Sequence, residues 1–235
     1  MTAPNYGKLY LIPNFLSEDN SDDFIAEMVR RMVHPLKNFV VENEKQARAL
    51  IKRLRLSHSQ QELNIWLLNE HTEAKEVSLL LEALVDNDAG IISDAGLPCI
   101  ADPGSALVAL AQTKNIDVIP LPGGSSMIMA LMGSGFSGQQ FAFSGYLPID
   151  KFPKIKKIKE LESLAHRGSS QIFMETPYRN NQLLEELIAQ CNAQTKLRIA
   201  YNISSEKGWV RTKTIAQWKA IKPELHKIPC VFILG

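Results

Sequence analysis

Strand-like and helix-like segments alternate through the first half of the chain. Short apolar runs typical of strands are separated by segments whose apolar residues recur every three or four positions, as on one face of a helix. This alternation has the spacing of βαβ units and predicts a mainly parallel sheet with helices on its faces. The predicted strands are 8–13, 38–42, 63–68, 89–93 and 117–121, and the predicted helices are 24–33, 44–56, 72–85 and 104–114.

The pattern changes after residue 124. Several predicted strands now follow one another with short connections, which favours a mixed sheet. We therefore expect an α/β protein of two domains, residues 1–121 with a mainly parallel sheet and residues 122–235 with a mixed one. The later elements are predicted strands 140–146, 170–175, 197–203 and 230–234 and predicted helices 126–132, 154–166, 180–192 and 214–220.

The distribution of charge also separates two halves. The 235 residues have 26 Lys and Arg against 25 Asp and Glu, and a globular composition of 45% hydrophobic and 22% charged residues. Residues 1–117 contain 11 basic and 17 acidic side chains, residues 118–149 contain none, and residues 150–235 contain 15 and 8. An acidic half, an uncharged segment and a basic half indicate two units with different roles.

The cysteines and the apolar segments indicate the cellular compartment of the protein. Cys99, Cys191 and Cys230 are odd in number and widely spaced, so they predict neither a disulfide framework nor a zinc site, and a reducing compartment is expected. The uncharged window contains six Gly and three Pro, and so does not predict a transmembrane helix. The N-terminus shows no signal-peptide pattern. We expect a cytoplasmic protein without a membrane partner.

Two motif matches lack the context that their chemistry needs. Residues 133–138 match G-x-G-x-x-G, but a helix precedes them and a strand follows, so a turn is the better interpretation. His71 and Glu73 with Pro98 and Cys99 resemble parts of a zinc deaminase motif, but Asp102 occupies the second cysteine position. We therefore expect no metal.

Two glycine-bearing loops follow successive predicted strands and each opens a helix. Residues 93–104 (SDAGLPCIADPG) place Asp94 at a strand end, and residues 121–127 (LPGGSSM) place Ser125 and Ser126 there. The carboxyl edge of a parallel sheet is where α/β proteins bind ligands. The sequence offers no phosphate-binding lysine in either loop, so a nucleoside-like ligand is expected. The alternative is that Asp94 and Asp102 only cap turns.

Four segments together carry a family resemblance. They are SDAGLPCIADPG, IDVIPLPGGSS, GSGFSGQQFAFSGYLP and IFMETPYR. In these segments the sequence resembles the tetrapyrrole methylase superfamily, and within it the likeness is greatest to bacterial methyltransferases that 2′-O-methylate a cytidine of small-subunit ribosomal RNA. The likeness covers nearly the whole chain in unchanged order. It implies a two-domain α/β fold, commonly a homodimer, with S-adenosylmethionine in the cleft between domains.

The resemblance also implies which residues contact the cofactor. An apolar, backbone-rich wall suits adenine and the methionyl chain. The implied contacts are Asp94, Ala95, Gly96 and Ile100 from the first domain, Ser125 and Ser126 from the loop between domains, and Met174, Ala200, Tyr201, Pro229 and Cys230 from the second.

The chain departs from the family in its substrate loops. The family's Pro-Thr-Pro-Ile-Gly-Asn loop is replaced by PNFLSED at 13–19, its Glu-Asp-Thr-Arg by ENEK at 42–45, and its Ala-Arg-Glu-Leu-Thr-Lys by AYNISS at 200–205. The cofactor loops are kept better. We infer retained methyl-donor binding with an altered acceptor.

The basic half suggests an RNA acceptor. Lysines neutralise phosphates, although most charge runs are solvated helix faces, and that alternative stays open. Methylation of a small molecule, including a tetrapyrrole, and a cofactor-binding protein without catalysis also stay open. The catalytic residue is unassigned, since the spacing singles out none of Glu42, Glu70, His71 and Glu175. The RNA-binding candidates are Lys151, Lys154, Lys156, Lys157, Lys159 and Arg179.

Overall fold

The chain forms two compact units. The computed structural model describes residues 5–235, and the units are Met1–Ser125 and Ser126–Gly235. That the chain divides into independently folding domains after residue 121 stays a prediction. No helix in the described part of the chain is long and apolar enough to cross a membrane.

The first unit is built on a parallel sheet. Its five strands lie in the order β3-β2-β4-β1-β5, and every pair is parallel, as the alternation of strands and helices predicted. Its elements are β1 Leu9–Ile12, α1 Glu27–Val33, β2 Asn38–Val41, α2 Glu44–Leu54, β3 Asn64–Leu67, α3 Ala74–Val77, β4 Ala89–Ile92, α4 Gly104–Thr113 and β5 Val118–Pro120.

The central strands are buried on both faces. All four residues of β2 and of β4 are buried, which is the pattern of a parallel sheet covered by helices on each side. Helix α2 begins where the Asn43 side chain accepts hydrogen bonds from the backbone N–H groups of Lys45 and Gln46. It ends at Arg55, whose φ of 56° is left-handed. Its apolar stripe covers one face of the sheet.

The predicted helix 72–85 is largely a 3-10 helix. Only α3 is α-helical, and Ser78–Leu84 continues as a 3-10 segment. Val77, Leu80 and Ala83 are buried at intervals of three, as are Leu81 and Leu84. Val77, Leu80, Leu81 and Leu84 also recur at the three- and four-residue spacing of an α-helix, so apolar spacing does not distinguish the two helix types here.

The second unit contains a mixed sheet, as predicted. Its strands lie in the order β6-β7-β10-β8-β9; β6 and β7 are parallel and the remaining pairs antiparallel. Its elements are α5 Ser126–Met132, β6 Phe141–Tyr146, α6 Lys151–His166, β7 Ser170–Met174, α7 Asn180–Gln190, β8 Lys196–Tyr201, β9 Trp209–Thr214, α8 Ile215–Ile221 and β10 Cys230–Leu234.

Strand β9 was missed by the sequence analysis. It pairs with β8 over six residues, from Lys196 opposite Thr214 to Tyr201 opposite Trp209. Its aromatic and β-branched residues are strand formers, but Arg211 and Lys213 between them make the segment look like exposed loop. Cations are common on strands at a sheet edge, where they discourage pairing with other chains.

The two faces of the second sheet pack against different helices. Phe173, Phe232 and Trp218 belong to the core beneath α6, α7 and α8, and the Trp218 indole N–H donates to the Leu197 carbonyl at 2.8 Å. The opposite face, with Ala200 and Val231, packs against α5. Residues 133–138 form the turn between α5 and β6, as the sequence indicated.

Candidate functional site

Three loops of the first unit meet at the carboxyl edge of its sheet. They follow β1, β4 and β5, which are neighbours in the sheet. A Cβ on Gly123 would lie 2.2 Å from the Cβ of Pro13, and one on Gly96 would lie 3.0 Å from a methyl carbon of Leu16. Gly96 also has a φ of 70°, a backbone conformation that favours glycine. The loops therefore form one closely packed edge.

Asn14 fastens two of these loops together. Its side-chain N–H₂ donates to the carbonyls of Ser93 and Asp94 at 2.9 and 3.0 Å, and its own backbone N–H donates to the Gly96 carbonyl at 2.7 Å. Its amide oxygen accepts from the Phe15 backbone N–H at 2.7 Å. The sequence analysis missed this role, because the partners lie far along the chain.

Three carboxylates lie at the same edge but have different surroundings. The Asp94 side chain is exposed, whereas Glu42 is half-buried and its carboxylate accepts from the Asp94 backbone N–H at 3.3 Å. Asp102 accepts from the backbone N–H groups of Cys99 and Gly104, each at 2.8 Å. Asp102 is therefore a turn cap, the simpler of the two interpretations. Loss of hydrating water raises the pKa of all three carboxyls.

Like charges add to the effect at Glu42. The neighbouring Asp94, Asp102 and Glu70 raise the pKa of Glu42 further, while the hydrogen bond from Asp94 lowers it. Of the four residues considered as bases, Glu70 and His71 are exposed and lie 3.7 Å apart. Glu42 alone accepts a hydrogen bond from the Asp94 loop.

A cavity of about 390 Å³ opens beside the Asp94 loop. The guanidinium of Arg53 covers the Phe15 ring at 3.4 Å from its centroid and pairs with Asp22 at 2.9 Å. Aromatic, aliphatic and polar groups thus share the lining, as is usual for small-molecule sites. The lining residues are Asn14, Phe15, Leu16, Ser17, Glu18, Gln46, Ala49, Leu50, Arg53, Asp94 and Ala95.

The remaining predicted contacts of the first unit lie along the same stretch of chain. Ala95 is exposed, Gly96 is buried and Ile100 is 48% exposed. Ser125 is the last residue of the unit and is half-buried. An exposed Ile100 beside an exposed Asp94 loop is consistent with a surface that receives a ligand.

The second unit brings two predicted contacts into one row. In the sheet register, Val231 of β10 lies opposite Met174 of β7 on one side and Ala200 of β8 on the other. All three belong to the apolar cluster on the face covered by α5, with Met127 packed against it. Ser126 precedes Met127 at the start of α5 and is half-buried. Val231 was missed, because only the strand register places it between the other two.

Tyr201 and Cys230 direct their side chains to the opposite face. Tyr201 stacks on Trp209 with centroids 5.0 Å apart and planes 5° apart, and Cys230 lies in the core beneath α6–α8. Burial raises the pKa of the Cys230 thiol to about 12. On the Ala200 face, Tyr201 and Cys230 therefore offer only backbone atoms. Pro229 is exposed, and its carbonyl accepts from the Asn202 N–H at 2.9 Å.

Glu175 anchors a turn and is not placed as a base. It is buried, and one carboxylate oxygen accepts from the Thr176 N–H at 2.7 Å and from two nitrogens of Arg179 at 3.1 and 2.6 Å. The other oxygen is buried without a hydrogen-bond partner in the described chain. Arg179 is thereby paired with a buried carboxylate, while 30% of its side chain stays exposed.

Lys154 is a second correction to the predicted basic surface. It is 2% exposed, and its ammonium lies 3.2 Å from the Glu186 carboxylate, so it lies between α6 and α7 and not on the exposed surface. Lys157 pairs with Glu160 at 2.9 Å and Lys159 with Glu162 at 3.6 Å. Lys151 and Lys156 are exposed, and neither forms an ion pair within residues 5–235. Fewer of the predicted cations are therefore both exposed and unpaired than the sequence indicated.

These features define a class of protein. A parallel α/β unit with ligand-type loops at its carboxyl edge is followed by a mixed-sheet unit that carries an apolar row. Over the residues that the structure describes, no group of side chains has the arrangement of a metal site. The chain belongs to the tetrapyrrole (corrin/porphyrin) methylase family, whose model matches residues 18–218.

Curated relatives share the name ribosomal RNA small subunit methyltransferase I. The protein of Haemophilus influenzae is 32% identical over 187 residues, covering 77% of this chain and 64% of the relative. That of Borrelia garinii subsp. bavariensis is 34% identical over 207 residues, covering 86% and 85%. The chain thus spans less than two thirds of the Haemophilus relative but most of the Borrelia one.

Solved structures of low sequence identity have the same fold. The methyltransferase CobJ matches with a TM-score of 0.63 and 15% identity, over 97% of this chain and 94% of that one. Uroporphyrin-III-C-methyltransferase from Thermus thermophilus matches with a TM-score of 0.58 and 15% identity, over 97% and 94%.

Proposed function

We propose that this protein is an S-adenosylmethionine-dependent methyltransferase that acts on RNA of the small ribosomal subunit, in the manner of a ribose 2′-O-methyltransferase. The observation that carries the proposal is the Asp94 loop, which Asn14 fastens at the carboxyl edge beside a cavity of about 390 Å³. The names of the curated relatives support the acceptor.

The residues present fit the methyl donor. Asp94 offers an exposed carboxylate that can accept from ribose hydroxyls or an ammonium group, and Ala95 and Gly96 allow close approach to the backbone. In the second unit, the half-buried Met174 at the end of β7 is an apolar side chain of the kind that packs against adenine or a methionyl chain. When bound, S-adenosylmethionine supplies the electrophilic methyl group. The protein's contribution is to hold donor and acceptor in line and to exclude water.

When the methyl acceptor is a hydroxyl group, Glu42 is the proposed base that takes its proton. It lies at the end of β2 beside the Asp94 loop, and its raised pKa makes it a better base than an ordinary glutamate. Its ionised form can accept the proton of a ribose hydroxyl as the oxygen–carbon bond forms. Glu175, by contrast, is committed to Thr176 and Arg179.

Methyl incorporation tests the proposal. Small ribosomal subunits from cells that lack the protein are incubated with labelled S-adenosylmethionine and the purified chain. We expect label in the RNA, and an Asp94→Asn variant should lose about tenfold or more in donor affinity, since a charged hydrogen-bond acceptor is removed. Asp150→Asn, at an exposed position in the second unit, is the matched control. No label in RNA from these subunits would refute the RNA assignment.

Small-molecule methylation is the second candidate. The observation that favours it is the engagement of Lys154 and Arg179 within the protein, which leaves a smaller open basic surface than a large RNA substrate suggests. A parallel incubation with tetrapyrrole acceptors distinguishes the two. Label in a tetrapyrrole with none in ribosomal RNA would favour this candidate.

A homodimer and a cytoplasmic setting complete the proposal. Both come from the family resemblance and the composition. Sedimentation equilibrium of the purified chain should give twice the chain mass of 26.3 kDa. A single-chain mass at all concentrations would remove the homodimer from the account.

A further inference from the structure

An exposed aromatic ring stands on a rigid turn just after β7. Tyr178 lies in the 3-10 turn Pro177–Arg179 and is 68% exposed. The turn is fixed from below by the buried carboxylate of Glu175, which accepts from Thr176 and Arg179. A large ring that is held in solvent by a rigid support buries little area, so its position does not serve the core.

A second segment brings a cation and an imidazole to the same ring. The Lys227 backbone N–H donates to the Pro177 carbonyl at 2.9 Å, which joins the two segments. The Lys227 ammonium lies 6.0 Å from the centroid of the Tyr178 ring. The His226 ring stands edge-on to Tyr178, with centroids 5.9 Å apart and planes at 76°. Both residues are exposed.

Glu224, an acidic residue of the same segment, is already engaged. One oxygen of Glu224 accepts from the His226 backbone N–H at 2.8 Å and from the Asn181 side chain at 2.5 Å. These hydrogen bonds lower the pKa of Glu224. Asn181 also accepts from the Leu225 N–H at 2.8 Å. Glu224 therefore helps to hold the loop in place, and the Lys227 ammonium has no ion-pair partner in the described chain.

We infer that Tyr178, His226 and Lys227 form a binding site for an unpaired RNA base and its adjoining phosphate. An exposed ring provides the face on which an unstacked base packs, and the ammonium neutralises the phosphate. Bases inside a duplex are stacked on each other and offer no such face. This inference rests on the proposed function and adds a place where the RNA is held.

Binding of two RNAs to the full chain tests the site. Fluorescence anisotropy is measured with a single-stranded RNA of mixed sequence and with the same RNA annealed to its complement. Tyr178→Leu should weaken single-strand binding by about tenfold, in the range of one stacked base, and leave duplex binding nearly unchanged. Tyr178→Phe keeps the ring and should bind as the unaltered chain does.

Phe141→Leu provides the matched control. Phe141 is also an exposed aromatic of the second unit, at 44%, but it pairs with Ser170 at the opposite end of the sheet. It should bind both RNAs as the unaltered chain does. Lys227→Gln should reduce the slope of log affinity against log salt for the single strand by about 0.7, the share of one phosphate contact.

Two results overturn the inference. One is unchanged single-strand affinity in Tyr178→Leu, and the other is an equal loss on single strand and duplex. An unaltered chain that binds neither RNA overturns it as well. Failure of the proposed function differs from these: the chain then shows Tyr178-dependent binding without methyl incorporation. Conversely, incorporation with the same KM for RNA in Tyr178→Leu refutes the site and leaves the methyltransferase assignment intact.

Discussion

At the scale of single residues, the candidate site depends on a buried amide that no local pattern reveals. Asn14 stands in the substrate-loop segment that departs from the family, yet its side chain supports the cofactor loop. The hydrogen bonds join residues 79 and 80 positions apart. Sequence spacing locates the loop itself, but only the packing of β1 beside β4 brings its support to it.

Asn14→Ala should destabilise the protein and weaken donor binding. The change leaves the Ser93 and Asp94 carbonyls and the Phe15 N–H without their partner, at a cost of about 2 kcal/mol in unfolding free energy. Denaturant unfolding and calorimetry with S-adenosylmethionine measure the two effects. Asn87→Ala is the control, because that exposed side-chain amide donates to the nearby Val85 carbonyl. Unchanged donor affinity in Asn14→Ala would contradict the supporting role.

Glu42→Gln should stabilise the protein at neutral pH and not in acid. Burial and neighbouring carboxylates raise the pKa of Glu42, so its ionised form is less stable in the folded chain than in the unfolded one. That penalty is complete above the folded pKa and vanishes below the ordinary value of 4.5, where the carboxyl is neutral in both states. The gain in melting temperature should therefore disappear as pH falls through this range.

The control for Glu42→Gln is Glu82→Gln, at an exposed position of the same unit. Melting temperatures are compared over the same pH series. A loss of stability at neutral pH in Glu42→Gln, or a gain that persists in acid, would show that the carboxylate is stabilised by contacts other than those described.

Arg198→Met should raise the unfolding free energy by about 1 kcal/mol or more. Arg198 is 4% exposed; its Nε donates to the Thr212 hydroxyl at 2.9 Å, but its Nη1 is buried without a hydrogen-bond partner in the part of the chain described. Burial also lowers the pKa of this guanidinium. Chemical denaturation measures the change, with exposed Lys219→Met as control. Destabilisation would mean that the buried cation has a stabilising partner.

At the scale of elements, the periodicity of apolar residues predicts most strands and helices, but it misses a strand that depends on pairing with its neighbour. The parallel strands β1–β5 and the mixed character of the second sheet follow from apolar spacing and connection length. Strand β9 was missed because its backbone is held by hydrogen bonds to β8, and the sequence of β9 alone does not show that pairing. The 3-10 segment Ser78–Leu84 buries residues at a spacing that an α-helix also allows, so apolar periodicity does not reveal its tighter turn.

Gly96→Ala should lower donor affinity more than its backbone strain alone explains. Gly96 and Gly168 both have positive φ, 70° and 90°, so alanine strains either backbone by about 1 kcal/mol. Only at Gly96 does the new methyl group meet a neighbour, Leu16; at Gly168 nothing lies within 4 Å. Calorimetry with S-adenosylmethionine should show weaker binding in Gly96→Ala and normal binding in Gly168→Ala. Equal affinities would remove this loop from the donor site.

At the scale of the whole molecule, the second half of the chain is basic, but some of its basic side chains are paired with carboxylates of the protein itself. Residues 150–235 carry 15 basic side chains against 8 acidic ones. Lys154 and Arg179 are engaged by Glu186 and Glu175, which a count of charges does not reveal. The sequence therefore predicted the fold class and the family loops well. It predicted poorly which cations are open, because ion pairing depends on the packing of α6, α7 and the turn after β7.

The most direct test of the central claim is the chemical position of the transferred methyl group. RNA labelled by this chain in small ribosomal subunits is digested to nucleosides, which are separated and identified by mass. The account predicts label on the ribose 2′-oxygen of a cytidine, and its loss when Asp94→Asn replaces the unaltered chain. Label on a nucleobase, or no label in RNA from subunits never exposed to the protein, would contradict it.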